Sequence, residues 1–559
     1  MFSKVFSGAV HGIESRIVTV EADISDGLPV FDLVGYLGSE VREARERVRI
    51  SLKNSGYRLP AKRITINLSP ADMRKEGTAF DLPIAVSVLA SLGFITEESL
   101  DSTLFIGELS LNGEIKKVNG VLPIVYMAYE QGFKKCVVPA CNVREGAVVQ
   151  GIEVYGADSL TQLAGYLSGT VSMEPCVLRQ EEYAPAKEPY EVDFSDIAGQ
   201  KLAKRAIEIA ACGMHNILLI GPPGSGKTML ARRIPTILPE LSFEESLEIS
   251  KIYSVSGLLN NNQSLILNRP FRSPHHTITT TALTGGGRFP MPGEISLSHL
   301  GVLFLDEFPE FNRGTIEILR QPLEENEITI TRLNGTYRYP ANLMLCAAMN
   351  PCNCGYYPDR NKCTCSLSQV KHYLGKISRP LLDRIDISIE VPQTDYKELN
   401  KKAGSRSSAE GTSAEEISGE ETSTEETSAR KTSTGETSTG ETSTEKTSAE
   451  ETSADETSAE IRERIKRGRQ MQNIRYQKEN IQFNSQISPK LLSVYCRLGR
   501  EEEKIMEEAY KRLNLSARAY HRILKVARTI ADLEGAEEID INHLSEAICY
   551  RSMDKKYWE

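Results

Sequence analysis

The stretch from residue 217 to residue 238 narrows the possible folds of this chain more than any other. It reads as an apolar strand, ILLI, followed by GPPGSGKT at 221–228 and then by a helical run, MLARRIPTIL. This is the G-x-x-x-x-G-K-T loop in the strand–loop–helix context that it requires. Gly221, Gly224 and Gly226 let backbone N–H groups curl around a β-phosphate at a helix N-terminus. The stretch therefore predicts an α/β core that binds a nucleoside triphosphate.

Five polar side chains predict that the bound nucleotide is hydrolysed. Lys227 would neutralise the β- and γ-phosphates, and Thr228 would hold Mg²⁺. The run GVLFLDE at 301–307 is typical of a buried strand that ends in two acids. Asp306 would then act on the Mg²⁺ shell, and Glu307 would polarise the attacking water. Asn350 ends the next apolar strand and is placed to orient the same water. The pattern therefore predicts ATP as substrate and Mg²⁺ as cofactor.

Four cysteines follow Asn350 as two C-x-C pairs: Cys352, Cys354, Cys363 and Cys365. The turn formers GYYPDRNK separate the pairs, which suits a tetrahedral thiolate zinc site, although C-x-C is tighter than the usual C-x-x-C. Free thiols and a redox pair are the alternatives. Eleven cysteines in 559 residues do not suggest a disulfide scaffold. A metal site in a reducing cytosol is the better interpretation.

A hairpin is predicted between the two apolar strands, because Asn334-Gly335 lies between alternating segments. Two arginines and two tyrosines accompany it: Arg332, Arg338, Tyr337 and Tyr339. The basic residues beside aromatic ones could contact a DNA backbone. A solvated hairpin with cross-strand pairs fits the same residue types.

The chain divides into five segments by composition and pattern. Residues 1–170 alternate strand-like and helical runs and predict an α/β domain of their own, and 171–193 contain three prolines and many charges, which suits a linker. Residues 194–398 form the nucleotide-binding core. Residues 399–460 are an acidic Thr/Ser/Glu-rich tract, and 461–559 read as helical.

The negative charge of the chain is concentrated in that tract. The whole chain carries a net charge of −10, and residues 405–460 carry 15 acids against four bases. The rest of the chain is close to neutral, so the acidic pI does not argue against nucleic-acid binding. The tract repeats Thr-Ser nearly every five residues with almost nothing apolar to bury, which predicts a disordered tether or low-complexity expansion. A phosphorylation or docking tract is the alternative.

Hydropathy indicates a cytoplasmic protein without a membrane segment. The longest apolar run, 82–95, includes Pro83 and is too short to span a bilayer. The N-terminal residues lack the apolar stretch of a secretory signal. The adjacent His275 and His276 diverge in direction and are interpreted as packing or loop contacts rather than as metal ligands.

The motifs taken together resemble those of the ComM-type, Mg-chelatase-like AAA+ proteins of bacteria, which are related to MCM ATPases. Besides the phosphate loop they comprise FRSPHHTIT, GGG…PGEISLSHLGVLFLDEFPEF, AAMNPC, the C-x-C pairs, LLDRIDI and LSARAYHRILKVARTIADLEG. The resemblance covers the chain except 405–460. It implies a Lon-protease/ribosomal-S5-like α+β N-terminal domain, an AAA+ core with a parallel sheet, and a helical lid. It also implies a homo-hexameric ring with ATP-driven DNA helicase and branch-migration activity on transforming DNA.

The same resemblance assigns roles to individual residues. Lys227, Thr228, Asp306, Glu307 and Asn350 become the nucleotide site in cis. Two arginines gain roles that their residue type alone does not show: Arg384 becomes an arginine finger that acts in trans, and Arg518 becomes the sensor 2 arginine of the lid.

Further segments find counterparts in the family. The predicted hairpin resembles the pre-sensor-1 hairpin that faces the pore, and 271–296 resembles the helix-2 insert. Ser378-Arg379-Pro380 departs from the usual Ser-Gly-Pro and adds an arginine near the expected subunit interface.

Other activities remain as alternatives to a DNA motor. A Mg-chelatase-type motor that remodels a protein or metal-insertion complex shares the core motifs, and so does an ATP-driven structural or chaperone ring. A peptidase is not expected, because Ala79 and Ile124 stand where the Lon-like pattern has its serine and lysine. Nucleophilic catalysis needs both a hydroxyl and an activating base.

Overall fold

The computed structural model describes residues 1–179, 190–260, 264–287, 290–332, 335–394, 456–479 and 481–558. Within these ranges the chain forms an N-terminal α/β unit, a P-loop core and a C-terminal helical region. The acidic tract lies outside the described residues up to 455, as does Asn334 at the tip of the predicted hairpin. The last residues of the tract belong to a helix instead, because Thr457 and Glu460 form a capping box at its start.

The N-terminal unit is built on one mixed sheet flanked by helices. Its strands are β1 (Phe2–His11), β2 (Glu14–Ser25), β3 (Val30–Val34), β4 (Arg63–Ser69), β5 (Thr103–Phe105), β6 (Glu108–Leu109), β7 (Ile115–Lys116), β8 (Lys135–Pro139) and β9 (Glu153–Ala157). Its helices are α1 (Ser39–Asn54), α2 (Asp81–Ser91), α3 (Val121–Glu130), α4 (Val143–Gly146) and α5 (Leu160–Leu167). Seven strands pair in the order β3-β4-β2-β1-β5-β8-β9, and β6 and β7 form a separate hairpin.

Hydrophobic pattern accounts for the elements of this unit. β2 and β4 alternate buried and more exposed residues, which is the period of a strand with one packed face. α2 takes up much of the apolar run at 82–95 and is buried nearly all round, as expected for a helix in the centre of a domain. None of the helices that the structure describes combines the length and apolar character needed to span a bilayer.

The P-loop core has a parallel sheet with helices on both faces. Its strands are β10 (Ile217–Ile220), β11 (Phe271–Arg272), β12 (Gly285–Gly286), β13 (Met291–Pro292), β14 (Val302–Leu305), β15 (Glu327–Arg332), β16 (Gly335–Pro340), β17 (Met344–Met349) and β18 (Ile387–Glu390). Its helices are α6 (Lys201–Gly213), α7 (Lys227–Ile237), α8 (Phe243–Val255), α9 (Thr280–Thr284), α10 (Glu294–Leu297), α11 (Arg313–Glu317), α12 (Pro322–Glu325), α13 (Leu367–Leu374) and α14 (Arg379–Leu382). Five strands pair in parallel in the order β11-β14-β17-β10-β18.

Parallel pairing explains why the central strands read as uninterrupted apolar runs. β10, β14 and β17 are buried along their whole length, because helices cover both faces of such a sheet. The carboxyl ends of β10, β14 and β17 therefore emerge at one edge. That edge carries the phosphate loop, the two acids after β14 and the asparagine after β17.

The C-terminal region is a bundle of helices that packs back on the core. Its members are α15 (Ser458–Arg475), α16 (Pro489–Tyr495), α17 (Arg500–Arg512), α18 (Ala517–Glu534) and α19 (Ile541–Trp558). α18 begins at its Ser516 cap and packs on α6, α15 and α19. It coincides with the run 516–533, which is the strongest helical signal in the C-terminal sequence.

A buried carboxylate, that of Asp386, ties the helical region to the core. It accepts a hydrogen bond from the backbone N–H of Asn216 at 2.9 Å and is paired with Arg522 of α18. The Asn216 side chain donates to the carbonyl of Arg384 and accepts from the N–H of Leu345, each at 2.9 Å. One cluster thus joins the amino-terminal ends of β10, β17 and β18 to the lid helix.

We expect Asp386→Ala to lower the free energy of unfolding by about 3 kcal/mol or more, because it leaves the Arg522 charge without its buried partner. Asp383→Ala is the matched control. Its half-exposed carboxylate lies 3.9 Å from Arg551, so its loss should cost less than about 1 kcal/mol. Urea denaturation followed by circular dichroism measures both, and equal costs would contradict the prediction.

The Asp386 contribution also has a defined pH dependence. Burial pushes the pKa of Asp386 upwards, but Arg522, His215 and the Asn216 N–H outweigh it and hold this pKa below its ordinary value. Stability from the carboxylate should therefore be complete above about pH 4, the pKa of an unfolded Asp, and be lost as the pH falls further. Denaturation of the Ala variant should lack this acid-dependent component.

Candidate nucleotide-binding site

The phosphate loop follows β10 and needs its three glycines for different reasons. Gly224 and Gly226 have φ values of 73° and 87°, in the left-handed region that favours glycine. A Cβ at Gly221 would lie 2.2 Å from the carbonyl oxygen of Val391, so no side chain fits there. α7 begins at Lys227, which directs the loop towards a helix N-terminus.

The Lys227 ammonium lies inside the loop. Its Nζ donates to the carbonyl oxygens of Gly221 and Pro222 at 2.8 and 2.9 Å, and to Oδ1 of Asn350 at 3.2 Å. Burial lowers the pKa of Lys227 to about 8, although Asp306 opposes the shift. The lysine and the asparagine predicted to share one site are therefore in direct contact.

Thr228 and Asp306 form the second contact of the site. The Thr228 hydroxyl donates to Oδ2 of Asp306 at 2.7 Å, and the backbone N–H of Glu307 donates to Oδ1 at 2.9 Å. Hydroxyl and carboxylate oxygens are the ligand type that Mg²⁺ prefers. This pair of side chains fits a magnesium ion bound together with nucleotide phosphates.

Glu307 lies at the mouth of the site. Its backbone is left-handed, with φ of 51°, which is uncommon for a residue with a side chain. Oε2 of Glu307 is 3.4 Å from Nδ1 of His276. The interpretation of His276 as a packing residue is therefore incomplete, because its ring also faces the predicted catalytic carboxylate. Only its place in the FRSPHHTIT motif hinted at such a role.

Four of these side chains border one cavity of about 230 Å³ at the carboxyl edge of the sheet. Its lining consists of Lys227, Asp306, Glu307, Glu310, Met349, Asn350, Asn353 and Tyr373. The lysine, both acids and the asparagine named from the sequence are thus brought together. Glu310, Asn353 and Tyr373 were not singled out, because nothing in their spacing shows that α13 and the segments after β14 and β17 meet here.

The four cysteines are gathered into a cluster. All their sulfur atoms lie within 4.8 Å of one another, with Cys352 Sγ 3.3 Å from that of Cys354 and 3.8 Å from that of Cys363. Tetrahedral zinc with bonds of about 2.3 Å separates its sulfurs by about 3.8 Å, so the donor set fits. Burial raises the pKa of Cys354, but hydrogen bonds from the Tyr356 backbone N–H and the Cys352 thiol outweigh it and lower this pKa to about 6.

The cysteine cluster lies against the phosphate loop. Gly355, between the pairs, has φ of 87°, and a Cβ there would be 2.4 Å from Cδ of Pro223. The cluster and the loop therefore pack at backbone distance, which the sequence order alone does not show.

The structure does not bring the two arginines to this cavity. Arg384 and Arg518 lie at the opposite, amino-terminal edge of the sheet, near Asn216. The Arg384 side chain is only 4% exposed and the Arg518 side chain is 60% exposed, and both pair with Glu324. Neither can serve the nucleotide of its own subunit from this position.

The predicted hairpin is present, but its tyrosines face the protein. β15 and β16 pair in antiparallel fashion, with Arg332 and Arg338 exposed. Tyr339 is buried and donates to the carbonyl of Pro290 at 2.6 Å. The Tyr337 ring stacks on His11 with 4.5 Å between centroids. Tyr339 is therefore not available at the surface, and Tyr337 is partly buried against His11, whereas the two arginines are exposed. Contact of the hairpin with DNA stays a prediction.

A larger cavity of about 460 Å³ lies where the N-terminal unit meets the core. Ala79 and Ile124, the positions compared with a protease serine and lysine, both line it, together with Tyr337 and Met291. A methyl group and a branched hydrocarbon supply neither nucleophile nor base at these two positions.

Three family models match successive parts of the chain. The one described as "Subunit ChlI of Mg-chelatase" matches residues 20–142. "Magnesium chelatase, subunit ChlI" matches 193–399, and "Magnesium chelatase, subunit ChlI C-terminal" matches 455–551.

Curated relatives match nearly end to end. "Competence protein ComM" of Haemophilus influenzae is 39% identical over 552 residues, which cover 98% of this chain and 97% of the relative. "Uncharacterized protein YifB" of Escherichia coli is 39% identical over 554 residues, 99% of this chain and 97% of its own length. A "Magnesium-chelatase 67 kDa subunit" of Chlorobaculum parvum is 24% identical over 211 residues, 37% of this chain and 28% of its own length.

We expect nucleotide affinity to depend on the protonation of Lys227. Because burial lowers its pKa to about 8, affinity should be constant below that pH and fall above it, by up to about tenfold per pH unit. Lys227→Arg should remove this dependence, since a guanidinium stays charged. Lys227→Ala should abolish binding. Titration of a fluorescent ATP analogue between about pH 6.5 and 9.5 checks this, and a flat wild-type profile or intact affinity in the Ala variant would contradict it.

Proposed function

Because the chain belongs to the Mg-chelatase-like AAA+ family that includes ComM and YifB, we propose that it is a cytosolic ATP-driven ring motor that acts on DNA. The observation that carries the ATPase part is the convergence of Lys227, Asp306, Glu307 and Asn350 on one cavity. Each side chain has the chemistry that phosphoryl transfer to water requires.

The roles follow from the contacts. Lys227 would exchange its carbonyl partners for the β- and γ-phosphates. Its hydrogen bond to Asn350 supports a role for that amide beside the γ-phosphate. Thr228 and Asp306 would hold the Mg²⁺ that neutralises phosphate charge. Glu307 would accept a hydrogen bond from the attacking water and orient it in line with the bond that breaks. His276, 3.4 Å away, would hold this carboxylate in place.

The ring assembly is proposed from the position of the arginines. Arg384 and Arg518 lie at the sheet edge opposite the phosphate loop, so only a neighbouring subunit could present a nucleotide to them. An arginine supplied in trans makes hydrolysis depend on assembly. The family resemblance supports six subunits and a role for Arg384 as the finger and Arg518 as sensor 2.

DNA as the substrate is supported by the hairpin and by the relatives. Arg332 and Arg338 are exposed on β15 and β16, where guanidinium groups are free to contact phosphates. The relative from Haemophilus influenzae is named a competence protein, which agrees with helicase or branch-migration activity on incoming DNA.

A motor that remodels a protein or metal-insertion complex is the second candidate. The match of the core to the magnesium chelatase model favours it. The end-to-end identity to ComM and YifB favours the first candidate, because the Chlorobaculum chelatase subunit aligns over only 37% of this chain.

DNA dependence of the ATPase distinguishes the candidates. We expect single-stranded or forked DNA to stimulate ATP hydrolysis by the wild type, with strand displacement on the fork. Arg332→Ala/Arg338→Ala should weaken DNA binding about tenfold and reduce its salt dependence, with the basal ATPase rate unchanged. Arg45→Ala, at an exposed arginine of α1, is the control. A wild type that DNA does not stimulate would rule out the DNA motor and leave the remodelling candidate.

We also propose that the cysteine cluster binds zinc and braces the segment between Asn350 and α13. The sulfur distances support this, and so does the close packing of Gly355 on the phosphate loop. Zinc would supply four bonds to a segment that has little regular structure of its own, so its part would be structural.

Metal analysis tests the zinc proposal. The purified chain should contain about one zinc per subunit, and Cys363→Ser should lose it together with several degrees of melting temperature. Cys549→Ser, at an exposed cysteine of α19, should keep both. A wild type without zinc, or a Cys363 variant that retains it, would leave free thiols as the interpretation.

A further inference from the structure

We propose that Glu324 is a positioning residue that holds Arg384 and Arg518 within their own subunit and links their release to the hairpin β15–β16. The inference rests on the proposed function, because it concerns arginines expected to act on a neighbour's nucleotide. Nothing in the sequence marks Glu324, which is one of two adjacent glutamates in QPLEEN.

The first step is the shared contact. Oε1 of Glu324 is 2.5 Å from a terminal nitrogen of Arg384 and 3.3 Å from one of Arg518. One oxygen therefore bridges the core arginine and the lid arginine. Partial burial raises the pKa of Glu324, but the two arginines outweigh this effect and hold the pKa below its ordinary value. The carboxylate therefore stays charged.

The second step is that Arg384 is fully engaged within its own chain. Its Nε donates to the carbonyl of Arg320 at 3.1 Å, and another nitrogen donates to the carbonyl of Pro380. The third contact is Glu324, and the side chain is only 4% exposed. Arg384 must leave these partners before it can reach a phosphate outside its subunit.

The third step is that Glu324 supplies the negative charge with which Arg518 pairs. A cavity of about 470 Å³ between core and lid contains further cations, but these have other partners. Arg522 pairs with Asp386, and Lys525 donates to the carbonyl of Ser485 at 2.7 Å. His521 also faces this cavity. A phosphate presented by a neighbouring subunit would therefore compete with Glu324 for both of its arginines.

The fourth step is the connection to the hairpin. Glu324 lies in α12, and β15 begins three residues later at Glu327. Asn326 in between has a left-handed φ of 56°, and its carbonyl accepts from the N–H of Ala341 at 2.7 Å, just beyond β16. Both ends of the hairpin are thus anchored beside Glu324, so that a shift of β15 would displace the carboxylate relative to its arginines.

The test is the ATPase rate of Glu324→Gln without DNA. Glutamine keeps the shape and an acceptor oxygen but removes the charge, so the arginines should be released more readily and the basal rate should rise about threefold to tenfold. Stimulation by DNA should fall in proportion, because the variant is already released. Glu325→Gln is the matched control: it lies one position further in the same helix, and its carboxylate accepts from Gln321 at 2.8 Å.

A double-variant cycle separates positioning from a general structural effect. Because Glu324 holds both arginines, Glu324→Gln should raise the basal rate by a smaller factor in an Arg518→Gln background than in the wild type, since only Arg384 then remains to be released. Melting temperatures of all variants identify loss of folding. Glu324→Asp, which keeps the charge on a shorter side chain, should give a rate between those of the wild type and the Gln variant.

The outcomes for the inference and for the proposed function are distinct. A wild type that DNA fails to stimulate removes the DNA role, whereas the basal-rate comparison uses no DNA and still tests Glu324. A basal rate of Glu324→Gln that equals or falls below that of Glu325→Gln overturns the inference. An undiminished effect in the Arg518→Gln background overturns the part of it that assigns Arg518 to Glu324.

Discussion

The buried carboxylate of Asp386 is the interaction on which the arrangement of core and lid depends. A charge without contact with water is tolerated only when it is paired and hydrogen-bonded, and here Arg522 and the Asn216 N–H meet that requirement. The partners come from different elements, so satisfying one group aligns β10 and β18 with α18. Glu324 and its two arginines lie beside this cluster, so their positions depend on it.

The parallel sheet separates the chemistry into two edges. The phosphate loop, Asp306 and Asn350 follow the carboxyl ends of their strands, whereas Arg384 precedes β18. A four-residue strand spans about 13 Å, so one subunit cannot place its own arginine on its own nucleotide. This separation is the physical basis of the proposal that the subunits assemble head to tail, with each completing the site of the next.

Much of the nucleotide site could be predicted because its residues stand at fixed places in local patterns. Lys227 follows a glycine loop, and Asp306 ends an apolar strand, so each position needs only the sequence around it. The environment of the hairpin could not be predicted in this way. Tyr339 looked available for DNA, yet it is buried because the loop at Pro290, remote in sequence, folds over it. The contact between His276 and Glu307 also joins residues that are remote in sequence, and it could not be predicted for the same reason.

The combined motifs of the sequence indicated the family by resemblance. Its local patterns predicted the α/β core, the residues of the candidate nucleotide site and the four-cysteine motif, because each of these rests on spacing or on periodicity along a short segment. Tertiary structure alone decided that the cysteines pack on the phosphate loop and that Glu324 bridges Arg384 and Arg518. These pairings join residues from about sixty to almost two hundred positions apart. Residues this far apart in the sequence meet only when the sheet and the lid are assembled. No local sequence pattern shows the packing that brings them together.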